Sequence, residues 1–183
     1  MSTISQDPAF QAGMEFSLRG EHAGAVAAFE AAIARHPTDA EGPYELGLAW
    51  QRRGEALMPP ALREKGVGTS LGDLAASLVG LGVLAASRAI GQTGWIVQYR
   101  EAFRQSVTAF RQAMALDPND ARFPHALALS LRYLGQTDAA AEAAAQAAAL
   151  RPADPEYAER AAAFDAAANR EAQSREARHG PGA

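Results

Sequence analysis

The residues that are able to do acid–base or metal chemistry are few and scattered along the chain. The four histidines are His22, His36, His125 and His179, and none of them pair at metal-ligand spacing. His125 would act as a base only if a neighbouring carboxylate, Glu41 or Glu45, oriented it. Such a histidine is more often a polar contact in a binding surface. The sequence therefore predicts neither an enzyme nor a metal site.

Nucleotide and thiol chemistry are not indicated either. The glycines of the central segment lack the lysine and the serine or threonine that complete a phosphate-binding loop; they are Gly66, Gly68, Gly72, Gly80 and Gly82. The chain has no cysteine, which excludes disulfides, thiolate nucleophiles and thiolate metal ligands. No cofactor is predicted.

Composition points to a helical protein that does not bind nucleic acid generally. The net charge is −4, whereas contact with phosphates needs a concentrated positive field. Alanine and arginine are abundant, which favours helices and is typical of a GC-rich bacterial genome. The start of the chain contains Asp7 and Pro8 and does not read as a signal peptide. A cytoplasmic location is therefore expected.

A period of about 34 residues organises the chain. Leu46, Gly47, Trp50 and Gly54 repeat the pattern of Ala12, Gly13, Phe16 and Gly20. A period of this length predicts an array of helix pairs, in which a glycine turns the chain between the two helices. Prolines close the units, but Pro118 follows Pro37 by much more than one period. The second unit is therefore interrupted by an insertion.

The units can be followed along the sequence. In the first, Asp7 is expected to cap a helix that begins with Pro8 and runs to about Leu18, and a second helix covers 23–34. The second unit opens near residue 40, its first helix is expected to stop at Gly54, and its second helix returns at 95–116. A third unit begins after Asp120 or Asn119, turns at Gly135 and ends before Pro152. A final helix starts at Asp154 and Pro155 and solvates the open end, and 179–183 are expected to be disordered.

These residues resemble the tetratricopeptide repeat (TPR) family, over about residues 6–54 and 99–170. The resemblance implies an all-α array of about three helix pairs, and a role in protein–protein interaction. The chain departs from the family at Ala9, Pro43 and Pro124, where the family favours tryptophan, and in the interruption of its second unit.

The resemblance also implies a concave groove lined by the first helix of each pair. The positions that correspond to this lining are Phe10, Met14, Tyr44, Leu48, Gln51, Arg122, His125, Leu129 and Arg132. Chaperone-binding relatives clamp a carboxylate with lysine and asparagine, but those places hold Phe10, Met14 and Glu45 here. Arg122 and Arg132 remain able to pair with a carboxylate of a ligand. The alternative is that the apolar members are helix contacts and the arginines are solvated.

The insertion, residues 55–96, has its own pattern. Ser70 and Asp73 form a capping box, and they predict a helix over 71–89. The run from Leu74 to Ser87 carries no charge. At ~1.5 Å per residue it spans roughly 21 Å, short of the ~30 Å hydrocarbon core of a bilayer. The apolar residues proposed to contact a partner are Leu74, Leu78, Leu81, Val83 and Leu84.

A run that is apolar on every face must be buried on more than one side. Packing inside the array and a surface for another molecule are both open at this point. The sequence as a whole predicts a scaffold that binds a peptide or helix of another protein in the groove, through the insertion, or both. The alternative is a self-assembly or peripheral membrane module that acts through the insertion.

Overall fold

The computed structural model describes residues 3–58 and 94–179, and all regular structure in these residues is helical. A short 3₁₀ helix, Ile4–Gln6, precedes seven α-helices: α1 (Pro8–Leu18), α2 (His22–Arg35), α3 (Glu41–Leu57), α4 (Gly94–Leu116), α5 (Arg122–Tyr133), α6 (Thr137–Leu150) and α7 (Pro155–His179). Each helix packs on the next one in the chain, from α1 on α2 to α6 on α7. The predicted all-α repeat array is therefore confirmed.

Local signals explain where the helices begin and turn. The Asp7 side chain accepts the backbone N–H of Ala9 at 2.8 Å, and Pro8 occupies the first turn, as predicted. The chain turns from α1 to α2 at Gly20 and from α5 to α6 at Gly135, with φ angles of 73° and 75°. Only glycine adopts this left-handed conformation at no steric cost.

The first two units make the same contact between their paired helices. A Cβ atom added at Gly13 would lie 2.6 Å from the ring of Phe29, and one added at Gly47 would lie 2.5 Å from the ring of Phe110. Both phenylalanine side chains are fully buried. The glycine therefore allows the large ring of the second helix to lie directly against the first helix. In the second unit the two partners make this contact from opposite sides of the insertion.

The third unit uses a different pair of residues at the same positions. Ala128 is the equivalent of Gly47, and Ala144 is the equivalent of Phe110. Both alanines are buried in one cluster with Leu127 and Leu131. A small residue thus replaces the ring where the first helix already carries a methyl group, and close packing is kept.

The second unit differs from the prediction at Gly54. The helix was expected to stop there, but α3 continues to Leu57. Gly54 lies inside the helix, and a Cβ atom added to it would be 2.5 Å from the ring of Phe103. The expected turn glycine therefore makes room for an aromatic side chain. The turn prediction was wrong because a helical glycine and a turn glycine look alike in sequence.

Both helices of the second unit extend beyond the repeat. The helix α4 has 23 residues, whereas α2 and α6 each have 14. Its extra first part buries Tyr99, whose hydroxyl donates a hydrogen bond to the Tyr133 carbonyl at 3.1 Å. Met58, just after α3, is buried in the same cluster. The buried core of the second unit therefore extends beyond the repeat, next to the points where the insertion begins and ends.

Several predictions fall outside the described residues. These are the helix over 71–89, the proposed contact residues Leu74, Leu78, Leu81, Val83 and Leu84, and the tail beyond residue 179. The start of the predicted insertion lies within α3, and its end lies within α4. The last helix includes His179, the first residue of the predicted tail.

Candidate functional site

The first helices of the successive units lie side by side. Arg122 of α5 pairs with Glu41 of α3 at 2.9 Å, and the rings of Tyr44 and Phe123 lie 5.1 Å apart. The same relation recurs between α5 and α7, where Arg160 lies 2.7 Å from His125. The helices α3 and α5 of this series carry all the predicted groove residues except Phe10 and Met14, which lie on α1.

The predicted groove residues fall into three groups in the structure: buried residues, partly exposed apolar residues, and polar residues that contact neighbouring side chains. Phe10 and Gln51 are each only 6% exposed, so a ligand has almost no access to them. Phe10 packs edge-on against Phe29, with ring centroids 5.4 Å apart. It belongs to the core of the first helix pair, which corrects its prediction as a lining residue. Burial of these two side chains follows from helix packing, which a single repeat period does not reveal.

Three apolar groove residues stay partly exposed at one repeat position. They are Met14, Leu48 and Leu129, one from each unit. Met14 is 37% exposed, and Leu48 and Leu129 pack partly on the core beneath them. We call these three residues the apolar row. Tyr44 lies one turn before Leu48 and is also partly buried.

Arg122 is engaged by acidic and aromatic neighbours. Its guanidinium contacts Asp120 at 2.8 Å and Glu41 at 2.9 Å, and it lies 4.9 Å from the centre of the Tyr44 ring. The hydrogen bonds that Arg122 donates to Asp120 and Glu41 raise the pKa of Arg122. These bonds link α5 to α3, although 46% of the Arg122 side chain remains exposed.

The neighbours of His125 differ from the orienting carboxylate, Glu41 or Glu45, that a general base would need. Its Nε2 atom accepts a hydrogen bond from Arg160 at 2.7 Å, and its ring stands edge-on to Tyr157. Burial, followed by the charge of Arg160, lowers the pKa of His125, while Glu156 opposes this shift. An arginine can only donate, so His125 must be neutral at this nitrogen. The carboxylate Glu41 pairs with Arg122 instead.

The final helix, α7, borders the candidate site, and this was not predicted from the sequence. Leu129 and Arg132 of α5 and Arg160 and Phe164 of α7 line a hollow of about 250 Å³. The Arg132 guanidinium lies 5.9 Å from the centre of the Phe164 ring. The signal was present, since Arg160 follows Ala126 by one repeat period. The predicted pairs Glu156–Arg160 and Glu171–Arg175 are confirmed, at 2.6 and 3.0 Å.

A second hollow lies where the helices α3 and α5 begin. It encloses about 550 Å³ and is bordered mainly by polar and acidic residues: Thr3, Thr38, Asp39, Ala40, Glu41, Leu116, Asp117, Asp120, Arg122 and Phe123. Asp39 and Asp120 each accept the backbone N–H two residues later, so these carboxylates have structural roles. Within residues 3–58 and 94–179, no group of three histidine or acidic side chains is placed to hold a metal ion.

None of the helices in the described part of the chain combines the length and the apolar character that crossing a bilayer requires.

Comparisons with known proteins reach only the level of fold. Neither a protein-family model nor a curated protein matches the chain. Among solved structures, it is similar to TTC0263, a thermophilic TPR protein of Thermus thermophilus, at 20% identity and a TM-score of 0.38. That match covers 87% of this chain and 82% of the other. It is also similar to the MamA protein, at 17% identity and a TM-score of 0.29, over 96% and 95% of the two chains.

The repeat in this protein is identified by its own contacts, since the Gly13–Phe29 packing recurs at Gly47 and Phe110. The left-handed turn at Gly20 likewise recurs at Gly135. The described residues therefore form a tetratricopeptide-like array of helix pairs.

Proposed function

We propose that the protein is an interaction scaffold, and that the face carrying the apolar row binds a peptide or helix of a partner protein. The observation that supports this most is the row itself. Met14, Leu48 and Leu129 keep apolar surface exposed at one repeat position, although Gly13, Gly47 and Ala128, one residue earlier, are buried. Exposed apolar side chains of this kind are what the apolar face of an amphipathic helix binds.

Polar groups on both sides of the row would orient such a ligand. Arg132 and Arg160 border the hollow next to Leu129, and Tyr44 offers an amphipathic ring beside Leu48. Aromatic and arginine side chains are the residues that dominate binding energies at interfaces. The proposed ligand is therefore a segment with apolar anchors and flanking polar residues.

A peptide selection tests this surface. A displayed library of random twelve-residue peptides would be selected on the full chain, and the affinities of the enriched peptides would be measured. Leu48→Asp and Leu129→Asp should each weaken binding at least about tenfold, because a charge would be placed at an apolar contact. The matched control is Leu18→Asp, since Leu18 is 86% exposed and lies outside the row.

Circular dichroism must show that these three variants and Tyr44→Ala keep the helical content of the parent. Unchanged affinities in Leu48→Asp, Leu129→Asp and Tyr44→Ala would exclude this face as the binding surface.

We propose the insertion as a second interaction surface, for a partner or for another copy of this chain. Its support is the uncharged run from Leu74, together with a contact that the two helices of the second unit make directly with each other. Gly47 meets Phe110 as Gly13 meets Phe29, so the repeat does not need the insertion to close. Peripheral membrane binding remains the alternative action of the same segment.

Excision of the insertion separates these roles. Residues 59–93 would be replaced by a short glycine–serine linker, which keeps Met58 and Tyr99 because both are buried. The variant should stay helical and melt cooperatively, since neighbouring repeats supply most of the stability of such arrays. It should lose partner binding, self-association or liposome binding, as measured by pull-down, light scattering and co-sedimentation. Collapse of helicity, or unchanged behaviour in all three assays, would refute the proposal.

A further inference from the structure

One carboxylate on the proposed binding face is left without a partner in the described structure. Glu45 is partly buried on α3, and its carboxylate makes no hydrogen bond or ion pair with any residue of 3–58 or 94–179. Glu41, one turn earlier, pairs with Arg122 at 2.9 Å. Its oxygens are not sealed from solvent, so the carboxylate is able to accept hydrogen bonds from a charged donor of a ligand.

The helical spacing places Glu45 beside the apolar row. Glu41, Glu45, Leu48 and Arg52 recur at steps of four, three and four positions, which form one stripe of a helix. The stripe contains Leu48 of the row, and at Glu41 it reaches α5 through Arg122. The unpaired carboxylate therefore lies on the same stripe as an anchor of the proposed ligand.

The repeat itself does not require an acid at this position. The equivalent residues of the first and third units are Gln11 and Ala126. Ala126 is buried in the core cluster, and Gln11 donates a weak hydrogen bond of 3.4 Å to the Ser5 carbonyl. Because a neutral amide and a methyl group serve the other units, packing does not account for Glu45.

Nearby cations do not neutralise this carboxylate. Burial, and then the charge of Glu41, raise the pKa of Glu45, and Arg52 and Arg122 only partly offset these effects. Arg122 is bound to Glu41 and Asp120. A cation brought by a ligand would supply the missing partner and would displace no existing bond of Glu45 in the described structure.

We propose that Glu45 is a specificity-determining residue, which selects a partner segment with a lysine or arginine beside its apolar anchor. This inference rests on the proposed function of the face. The carboxylate accepts the ammonium or guanidinium, and Leu48 contacts the adjacent apolar side chain. The partner class is thus a basic, amphipathic segment, in contrast to a ligand recognised by its carboxylate.

Two matched peptide pools test the inference on the full chain. Both consist of twelve-residue, terminally blocked peptides with a fixed central leucine and random flanks; the neighbouring position is lysine in one pool and glutamate in the other. The parent should bind the lysine pool about tenfold more tightly, the scale of a hydrogen bond to a charged group. Glu45→Gln should abolish this preference, and Glu45→Lys should reverse it.

The control is Glu30→Gln, which makes the same change in net charge at an exposed position of α2. It should leave the preference unchanged. As a further readout, the preference of the parent should decline as the pH falls through the raised pKa of Glu45, because the protonated carboxyl loses its attraction for a cation.

The outcomes separate the two proposals. If both pools bind, and Leu48→Asp abolishes binding but neither pool is preferred, the role of Glu45 is overturned while the binding face stands. A lysine preference that persists in Glu45→Gln overturns the same role. If neither pool binds the parent, the inference fails, while peptides selected from the random library would still support the face.

Discussion

The first and second repeat units make the same contact over very different lengths of chain. The segment that joins Gly47 to Phe110 is about four times as long as the segment that joins Gly13 to Phe29. Two doublings of length add only ~1.2 kcal/mol to the entropy cost of closing a loop. The complementary shapes of the helices therefore outweigh the interruption, and the repeat register survives it.

The units differ at the point where the chain leaves the array. In the first, Gly20 turns the chain directly from α1 to α2. In the second, Gly54 stays helical beneath Phe103, and both helices are longer. The insertion thus follows a lengthened helix rather than replacing a turn directly. This difference shows how a repeat accommodates additional chain without losing its internal packing.

The largest expected effect comes from removing the phenylalanine ring that each of the first two units packs against its glycine. Phe110→Ala should lower the free energy of unfolding by about 3–5 kcal/mol, and Phe29→Ala by a similar amount, because both side chains are fully buried. Chemical denaturation followed by circular dichroism would measure both losses. Hydrogen exchange should show weaker protection of α1 and α2 in Phe29→Ala, with α5 and α6 less affected. A loss below about 1 kcal/mol for Phe110→Ala alone would show that the two contacts are not equivalent.

A smaller effect is expected from filling the space beneath the ring. Gly47→Ala places a methyl group 2.5 Å from Phe110, and overpacking costs about 1–3 kcal/mol. The higher helix propensity of alanine returns ~0.5–1 kcal/mol, which leaves a net loss of about 1–2 kcal/mol by the same denaturation measurement.

The third unit supplies the control for this substitution. Combining Gly47→Ala with Phe110→Ala recreates the Ala128 and Ala144 pairing, so the double variant should be no less stable than Phe110→Ala alone. Strictly additive losses would mean that the glycine and the ring are not coupled.

The smallest expected effect concerns the cap of the first unit. Asp7 accepts hydrogen bonds from Arg35 at 2.6 and 2.7 Å, and His36 lies 3.1 Å from it. The hydrogen bonds from Arg35 hold the pKa of Asp7 well below its usual range, although burial opposes them. A lowered pKa adds stability that is complete above about pH 4, the unfolded value, and is lost as the pH falls below it.

Asp7→Asn should therefore lower Tm at pH 7 by roughly 2–4 °C and reduce the loss of stability between about pH 4 and pH 2. Thermal melts over this pH range would measure both changes. Glu30→Gln, at an exposed site of α2, should leave the melting curves nearly unchanged. An acid transition that is the same in Asp7→Asn and the parent would show that other carboxyl groups control it.

Most of the fold was predictable because its signals are local. The cap at Asp7, the turn at Gly20 and the phase of Phe29 and Phe110 each depend on residues a few positions apart, and the period repeats them. The candidate site was less predictable. Phe10 and Leu48 were both assigned to the groove, but only packing between helices shows that Phe10 is buried and Leu48 is partly exposed.

The sequence by itself determined the helix pairs, their order and the place of the interruption, because periodicity and capping act within a few turns of one chain segment. Tertiary structure alone decided that Gly54 is helical, that α7 walls the site with Arg160, and that Arg122 is bound to Glu41. Each of these depends on a side chain from another helix, often far away in the sequence. Tertiary structure also left Glu45 as an unpaired carboxylate of the described surface, because Arg122, which reaches α3 from α5, is bound to Glu41 and Asp120 instead.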